Sequence, residues 1–189
     1  MSLDRLRLAW ATTANRRIRW PGDGFGDIWH DTGLNEGDTD PQEATMPHGY
    51  TGRILHIDLG ARTTRIEEPG ESWWRRLGGG GAVGTALLLR DTTPGMDPFD
   101  PAMPLIFTSS VMAGQPYPGL ARFSAVSKSA MTGGIGESRC EGPWGWALKG
   151  CGADTLAITG RSERPVALAI EGGAAVFLDA EPLWGMTVG

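Results

Sequence analysis

Apolar and polar positions nearly alternate through Arg53-Ile54-Leu55-His56-Ile57-Asp58-Leu59, the pattern of a half-buried strand. His56 falls among its outward positions. Gly60-Ala61-Arg62 reads as a turn, and Thr63-Thr64-Arg65-Ile66-Glu67 as the returning partner of a hairpin, its threonines and isoleucine suited to a pleated surface. Helical composition continues over Glu71 to Leu77 and Ala82 to Arg90, split by Gly78-Gly79-Gly80-Gly81, and the proline-bearing stretch Thr92 to Pro104 reads as loop. The remaining strand candidates are Leu105 to Ser110, Phe123 to Lys128, Thr155 to Thr159, Val166 to Glu171 and Ala175 to Leu178. Strands outnumber helices and are joined mostly by short turns. The pattern predicts an α+β fold with antiparallel or mixed sheets rather than a series of parallel crossovers.

The 189 residues, 40% of them apolar, suffice for one domain with a hydrophobic core. Residues 1–46 differ in character from the rest of the chain. Arginines come first (Arg5, Arg7, Arg16, Arg17, Arg19), then an acidic, glycine-rich stretch from Asp23 to Glu43, with little periodicity. Such a segment buries too little to offset its ordering entropy. It reads as a disordered extension or a mistranslated upstream segment, with Met46 the natural start and 47–189 the folded domain.

A formal net charge of -5 gives no general basic surface, which argues against nucleic acid and anionic membranes as partners. No apolar run approaches the length needed to cross a bilayer. After Arg16-Arg17 comes Ile-Arg-Trp-Pro-Gly-Asp-Gly, not the apolar segment of an export signal. Cys140 and Cys151 are too few for a disulfide framework and lack CxxC spacing, so a reducing cytoplasm is the expected compartment.

The candidate chemistry lies in glycine-rich stretches. Gly78 to Gly81 either links two helices tightly or forms an anion-binding loop, and it matches neither the dinucleotide nor the P-loop fingerprint. Arg122 leads a strand between Gly114–Gly119 and the turn Thr132-Gly133-Gly134-Ile135-Gly136. A guanidinium so placed is either an anion clamp or half of a surface ion pair with Glu137 or Glu141. Pro143 suits the first turn of a helix over Trp144 to Lys149, which sets Arg139, Cys140, Glu141 and Gly142 at its positive end. Residues 133–142 therefore read as backbone built for close approach by a flat or anionic ligand. Trp144 and Trp146 read as core before platform, and Cys140 as a partly buried structural thiol before a ligand, since one thiolate cannot hold an iron–sulfur cluster. His30, His48 and His56 are scattered and complete no catalytic set.

The segments GYTGRILHIDL, LGGGGAVGTALLL, PGMDPFDPAMPLIFTSS, GLARFSAVSKSAMTGGIGES, WGWALKGCGADTLAITGRSERPV and LDAEPLWG succeed one another along residues 47 to 185. In that order they resemble the N-terminal domain of the aldehyde ferredoxin oxidoreductase family. The resemblance implies two mixed, mostly antiparallel β-sheets with a few short helices, forming a base for a tungsten or molybdenum bis-pterin cofactor (tungstopterin). It implies cofactor-binding positions at Arg122, Arg139, Cys140 and Gly142, with Arg122 beside the pterin phosphates and Gly142 and Gly145 allowing close backbone approach. Three residues depart from the family pattern. Arg139 stands where many members have an asparagine that helps hold a phosphate-bridging magnesium, Glu141 where glycine is common, and Gly80 where LGGRG has arginine. A cation at 139 replaces the magnesium's charge rather than binding it.

The resemblance further implies ferredoxin as a partner and a reaction oxidising aldehydes to carboxylic acids. The family's iron–sulfur cysteines lie in later helical domains, so the cluster is not bound here; the chain reads as truncated and inactive alone. Two other roles stay open: a non-catalytic pterin-binding or assembly module, and a subunit of a related ring-reducing tungsten enzyme.

Overall fold

The structure, a computed structural model, describes residues 49–115 and 117–187. The disordered extension expected over 1–46 lies outside them. Strands β1 (Ile54–Asp58) and β2 (Thr63–Glu67) form the expected hairpin, with Ile54 opposite Glu67. The Asp58 carboxylate closes its turn by accepting the N–H groups of Gly60 and Ala61, each at 2.8 Å. Helices α1 (Glu71–Leu77) and α2 (Gly81–Asp91) come next, then β3 (Leu105–Ser109), β4 (Arg122–Lys128) and β5 (Ile135–Glu141). After them come α3 (Trp144–Gly150), β6 (Thr155–Thr159), the hairpin β7 (Val166–Glu171) and β8 (Ala174–Asp179), and a 3-10 turn at Glu181–Leu183.

Six strands form one sheet in the order β2-β1-β6-β3-β4-β5. Only β1 and β6 run parallel; every other neighbouring pair is antiparallel. The fold is α+β as expected, with the mixed character confined to this sheet, since β7–β8 is a simple antiparallel pair.

Residues 135–141, absent from the expected strands and overlapping the expected turn at 132–136, form strand β5, paired with β4 at seven consecutive positions from Arg122–Glu141 to Lys128–Ile135. Its sequence, IGESRCE, is polar on both faces and shows no alternation of hydrophobicity. Ladder bonds to β4, not burial, hold it as a strand, so periodicity could not reveal it.

Alternation along the central strands divides the core between the two faces of the sheet. Ile54, Ile106, Val126 and Ala157 project to one face, where Trp74 of α1 and Val83 and Leu87 of α2 cover them. Leu55, Ile57, Leu156 and Phe107 project to the other, against Leu148 of α3 and Leu168 and Phe177 of the hairpin. The fully buried Ile54, Leu55, Ile57, Val83, Leu87, Ile106 and Val126 contribute about 1.5–3 kcal/mol each. Tyr50, Trp73 and Trp74 form an aromatic cluster at the α1 end, Trp73 and Trp74 edge to face at 4.9 Å. His56, expected to face outward, belongs to the α2 side. It hydrogen-bonds Glu67 at 2.7 Å, and Arg90 near the end of α2 donates two further bonds to that carboxylate at 2.6 and 3.0 Å. Burial pushes the Glu67 carboxyl up, but the hydrogen bonds from Arg90 and His56 outweigh it and hold it below its ordinary value.

Candidate functional site

The β4–β5 ladder sets its odd-numbered β5 residues on the α2 side of the sheet. Arg122 lies opposite Glu141, Ser124 opposite Arg139 and Val126 opposite Glu137. Arg122 Nε donates to Glu141 Oε1 at 2.7 Å. Arg139 grips Glu137 with two bonds, Nε to Oε1 at 2.8 Å and Nη2 to Oε2 at 3.2 Å, and the Ser124 hydroxyl donates to Glu137 Oε1 at 3.1 Å. The hydrogen bond from Arg139 holds the Glu137 carboxyl below its usual range, against a small effect of burial and with help from Ser124.

The four-glycine run closes this face. Gly78, Gly79 and Gly80 take φ of 70, 89 and 60°, which only glycine adopts without strain. Gly80 N–H donates to Ser109 O at 2.9 Å, and Gly79 bridges Ser110 beyond the end of β3. Arg122 heads the neighbouring strand, so the glycine run and the guanidinium share one end of the sheet. At Gly81 a Cβ would meet the Glu137 carboxylate, so the bare Cα lets that flexible side chain lie against the start of α2. The run is thus a tight helix link packed on the end of β3 and on Glu137, with Gly78 and Gly80 left open.

The two arginines differ in what they have to spare. Arg122 uses only Nε on Glu141, and its terminal nitrogens make no hydrogen bond among the described residues. That free, outward fork suits a phosphate oxygen pair. Arg139 is held on two nitrogens by Glu137; Glu141 balances the Arg122 charge in the surface ion pair that the sequence offered as the alternative to a clamp, but engages one nitrogen only. Arg122 therefore fits an anionic ligand, while Arg139 with Glu137 forms a closed pair.

Cys140 does not join them. It lies opposite Phe123 on the other face and is exposed, not partly buried as its sequence context suggested. Gly142 links β5 to α3 with φ 146°, and nothing stands within 4 Å of where its Cβ would be. Gly145 is bare for packing: a Cβ there would lie 3.3 Å from Arg122 O and from Ser109 Oγ, so α3 sits directly on β4. Trp144 packs on Phe123 and Phe107, centroids 4.8 and 5.5 Å apart, and is core. Among the described residues no three His, Cys, Asp or Glu stand close enough to hold a metal ion, and no helix is long and apolar enough to cross a membrane.

Two positioning residues, Ser124 and Lys149, escaped sequence reading. Glu137, offered there as a partner of Arg122, instead accepts from Arg139 and Ser124, an assignment that needed β5 to be seen as a strand, although the alternation Glu137, Arg139, Glu141 hints at one. Lys149, in the last turn of α3, donates from Nζ to the carbonyls of Gly49, Val111 and Ala113 at 2.7, 3.0 and 3.4 Å. It ties the loop after β3 to α3. Burial lowers its pKa, and the nearby Asp154 charge partly restores it. Asp154, almost fully buried, accepts three bonds at 2.8 Å on Oδ2, from Thr51 N–H, the Thr51 hydroxyl and Gly52 N–H.

Residues 54–189 match the family profile described as aldehyde ferredoxin oxidoreductase, N-terminal domain. The tungsten-containing aldehyde ferredoxin oxidoreductase of Thermococcus kodakarensis is 33% identical over 141 residues, which is 75% of this chain and 23% of that one. The aliphatic sulfonate oxidoreductase WOR-like subunit of Pyrococcus furiosus is 30% identical over 142 residues, 74% of this chain and 22% of that one. Among solved structures, the active site complex BamBC of benzoyl coenzyme A reductase in complex with 1,5-dienoyl-CoA superposes with a TM-score of 0.68 at 27% identity, covering 73% of this chain and 21% of that one. The chain thus spans less than a quarter of the length of these relatives.

Proposed function

Because the chain belongs to the aldehyde ferredoxin oxidoreductase family by its N-terminal domain, we propose that residues 47–189 are the cofactor-seating part of a tungsten or molybdenum bis-pterin oxidoreductase. The full activity proposed is oxidation of an aldehyde to a carboxylic acid, with electrons passed through an iron–sulfur cluster held elsewhere to ferredoxin in the cytoplasm. When bound, the cofactor supplies the two-electron oxidation chemistry. This chain's share is to seat it. The Arg122 terminal nitrogens offer paired donors to a pterin phosphate, the open Cα positions of Gly78, Gly80 and Gly142 let a ligand approach the backbone, and Lys149 fixes the loop leading toward Arg122.

The observation that carries this reading is the unengaged fork of Arg122 on a glycine-lined face. No magnesium is assigned, because Arg139 and Glu137 already balance one another. A second reading, a subunit of a related ring-reducing tungsten enzyme, draws support from the structural likeness to the BamBC complex; both share the seat and differ in the reaction.

The test is expression of the full chain in a host that makes the pterin cofactor and is supplied with tungstate and molybdate. Pterin is quantified by fluorescence after iodine oxidation, and both metals by mass spectrometry. Pterin is expected to co-purify with wild type, to be lost in Arg122→Ala and to be partly kept in Arg122→Lys. Pterin absent from wild type, or equal in Arg122→Ala, refutes the seat.

A further inference from the structure

The outer edge of β5 has no partner strand among the described residues. It is seven residues long, free of proline and lysine, and pairs with β4 without a bulge. Exposed edges are normally blunted by lysine, proline, bulges or charges of one sign; of these β5 has only charges, and they are of both signs. β5 carries instead Glu137, Arg139 and Glu141, alternating in sign on one face, with Gly136, Ser138 and Cys140 on the other.

That order is self-complementary about Ser138. If a second copy runs antiparallel with Ser138 facing its own counterpart, all seven residues pair. Glu137 then faces Arg139 of the second copy, Arg139 faces its Glu137, and Gly136 faces its Cys140. Other centres do worse. Centring on Arg139 sets arginine against arginine and Glu137 against Glu141, and centring on Cys140 pairs only three residues. Directly opposed like charges destabilise a ladder and opposite charges support it.

Re-partnering exchanges like for like: Arg139 is 70% exposed and Glu137, also held by Ser124, 28%, and the bonds between them within one chain give way to the same bonds between two. The opposite edge of the sheet offers no equivalent. β2 has five residues, and its single carboxylate, Glu67, is already held by Arg90 and His56.

We propose that a second copy of this chain pairs antiparallel with β5 about Ser138, joining two six-stranded sheets into one. The backbone pairing uses the free edge of β5, its register is set by Glu137 and Arg139 on the face shared with Arg122, and the proposal does not rest on the cofactor reading.

Sedimentation velocity on the full chain over a concentration series reads the association directly. A monomer–dimer equilibrium is expected for wild type. Glu137→Arg opposes arginines across the two-fold and weakens association by about tenfold or more. The exchanged pair Glu137→Arg/Arg139→Glu restores it. Circular dichroism and melting confirm that each variant folds. Gly136→Cys reports the register, since a Cβ there meets nothing closer than 3.5 Å. Under mild oxidation the introduced thiol bonds Cys140 of the second copy, and adding Cys140→Ser abolishes that cross-link. A monomer at every concentration, a dimer indifferent to Glu137→Arg, a double variant as weak as the single, or an oxidised dimer without the 136–140 link overturns the proposal.

Discussion

Replacing Gly84 with alanine tests how tightly α2 is laid on the sheet. The added Cβ would stand 2.6 Å from Val126 Cγ2 and 2.9 Å from Val126 Cβ. Val126 is fully buried in the middle of β4 and, being β-branched, has no easy rotamer to retreat into. Overpacking of this kind costs about 1–3 kcal/mol, and contact with a Cβ rather than a flexible tip puts this case at the upper end. Alanine returns about 1 kcal/mol of helix propensity over glycine. The expected net loss is about 2 kcal/mol, a fall in melting temperature of about 6–8 °C for a domain of this size. Val126→Ala alone is also destabilising, through a cavity. In the double variant Gly84→Ala/Val126→Ala the new methyl fills that cavity, so the losses are strongly less than additive. Thermal and urea melts of the four proteins measure the cycle. An unchanged or raised melting temperature for Gly84→Ala, or additive losses, would refute this close packing of α2 on β4.

Other buried polar groups carry expectations of their own. Lys149→Met removes the donors that hold the carbonyls of Gly49, Val111 and Ala113; it should cost about 2–3 kcal/mol and speed amide exchange in residues 111–115, read by mass spectrometry. Asp154→Ala strands three donors and should cost a similar amount. Burial outweighs the opposing bonds from Thr51 and Gly52 and leaves the Asp154 carboxyl raised, so folding takes up a proton and this group favours the fold more as pH falls from its folded value toward its ordinary one. Asp154→Asn should flatten stability against pH in that window. The depressed Glu67 works in the opposite sense: its contribution is full above the ordinary glutamate value and is lost as pH falls through the folded one, so Glu67→Gln should remove an acid-side loss in urea midpoint.

Where burial shaped the sequence, the sequence was legible. Ile54, Leu55 and Ile57 announced β1, and Leu105 to Ser110 announced β3, because buried strands must carry apolar residues. The site was harder. Arg122 stood out through its glycine neighbours, but its partner Glu141 could not be chosen over Glu137 until the register of a strand without apolar alternation was known. Cys140 was grouped with the site because it is adjacent in sequence, and the period of two in a strand turned it to the other face. Lys149 read as an ordinary last-turn lysine, since its carbonyl partners lie 36 to 100 residues away. His56 misled for a related reason: its polarity suggested solvent, while Glu67 and Arg90 provide a polar niche beside the core.

The most direct measurement is calorimetric titration of the full chain with phenyl phosphate, an aromatic phosphate monoester, against wild type, Arg122→Ala and Glu141→Gln. Wild type should bind; Arg122→Ala should weaken binding at least tenfold, as the loss of a charge-assisted pair requires, and Glu141→Gln should tighten it by freeing the guanidinium. Equal affinity in wild type and Arg122→Ala, with both proteins folded, would contradict a phosphate seat at Arg122.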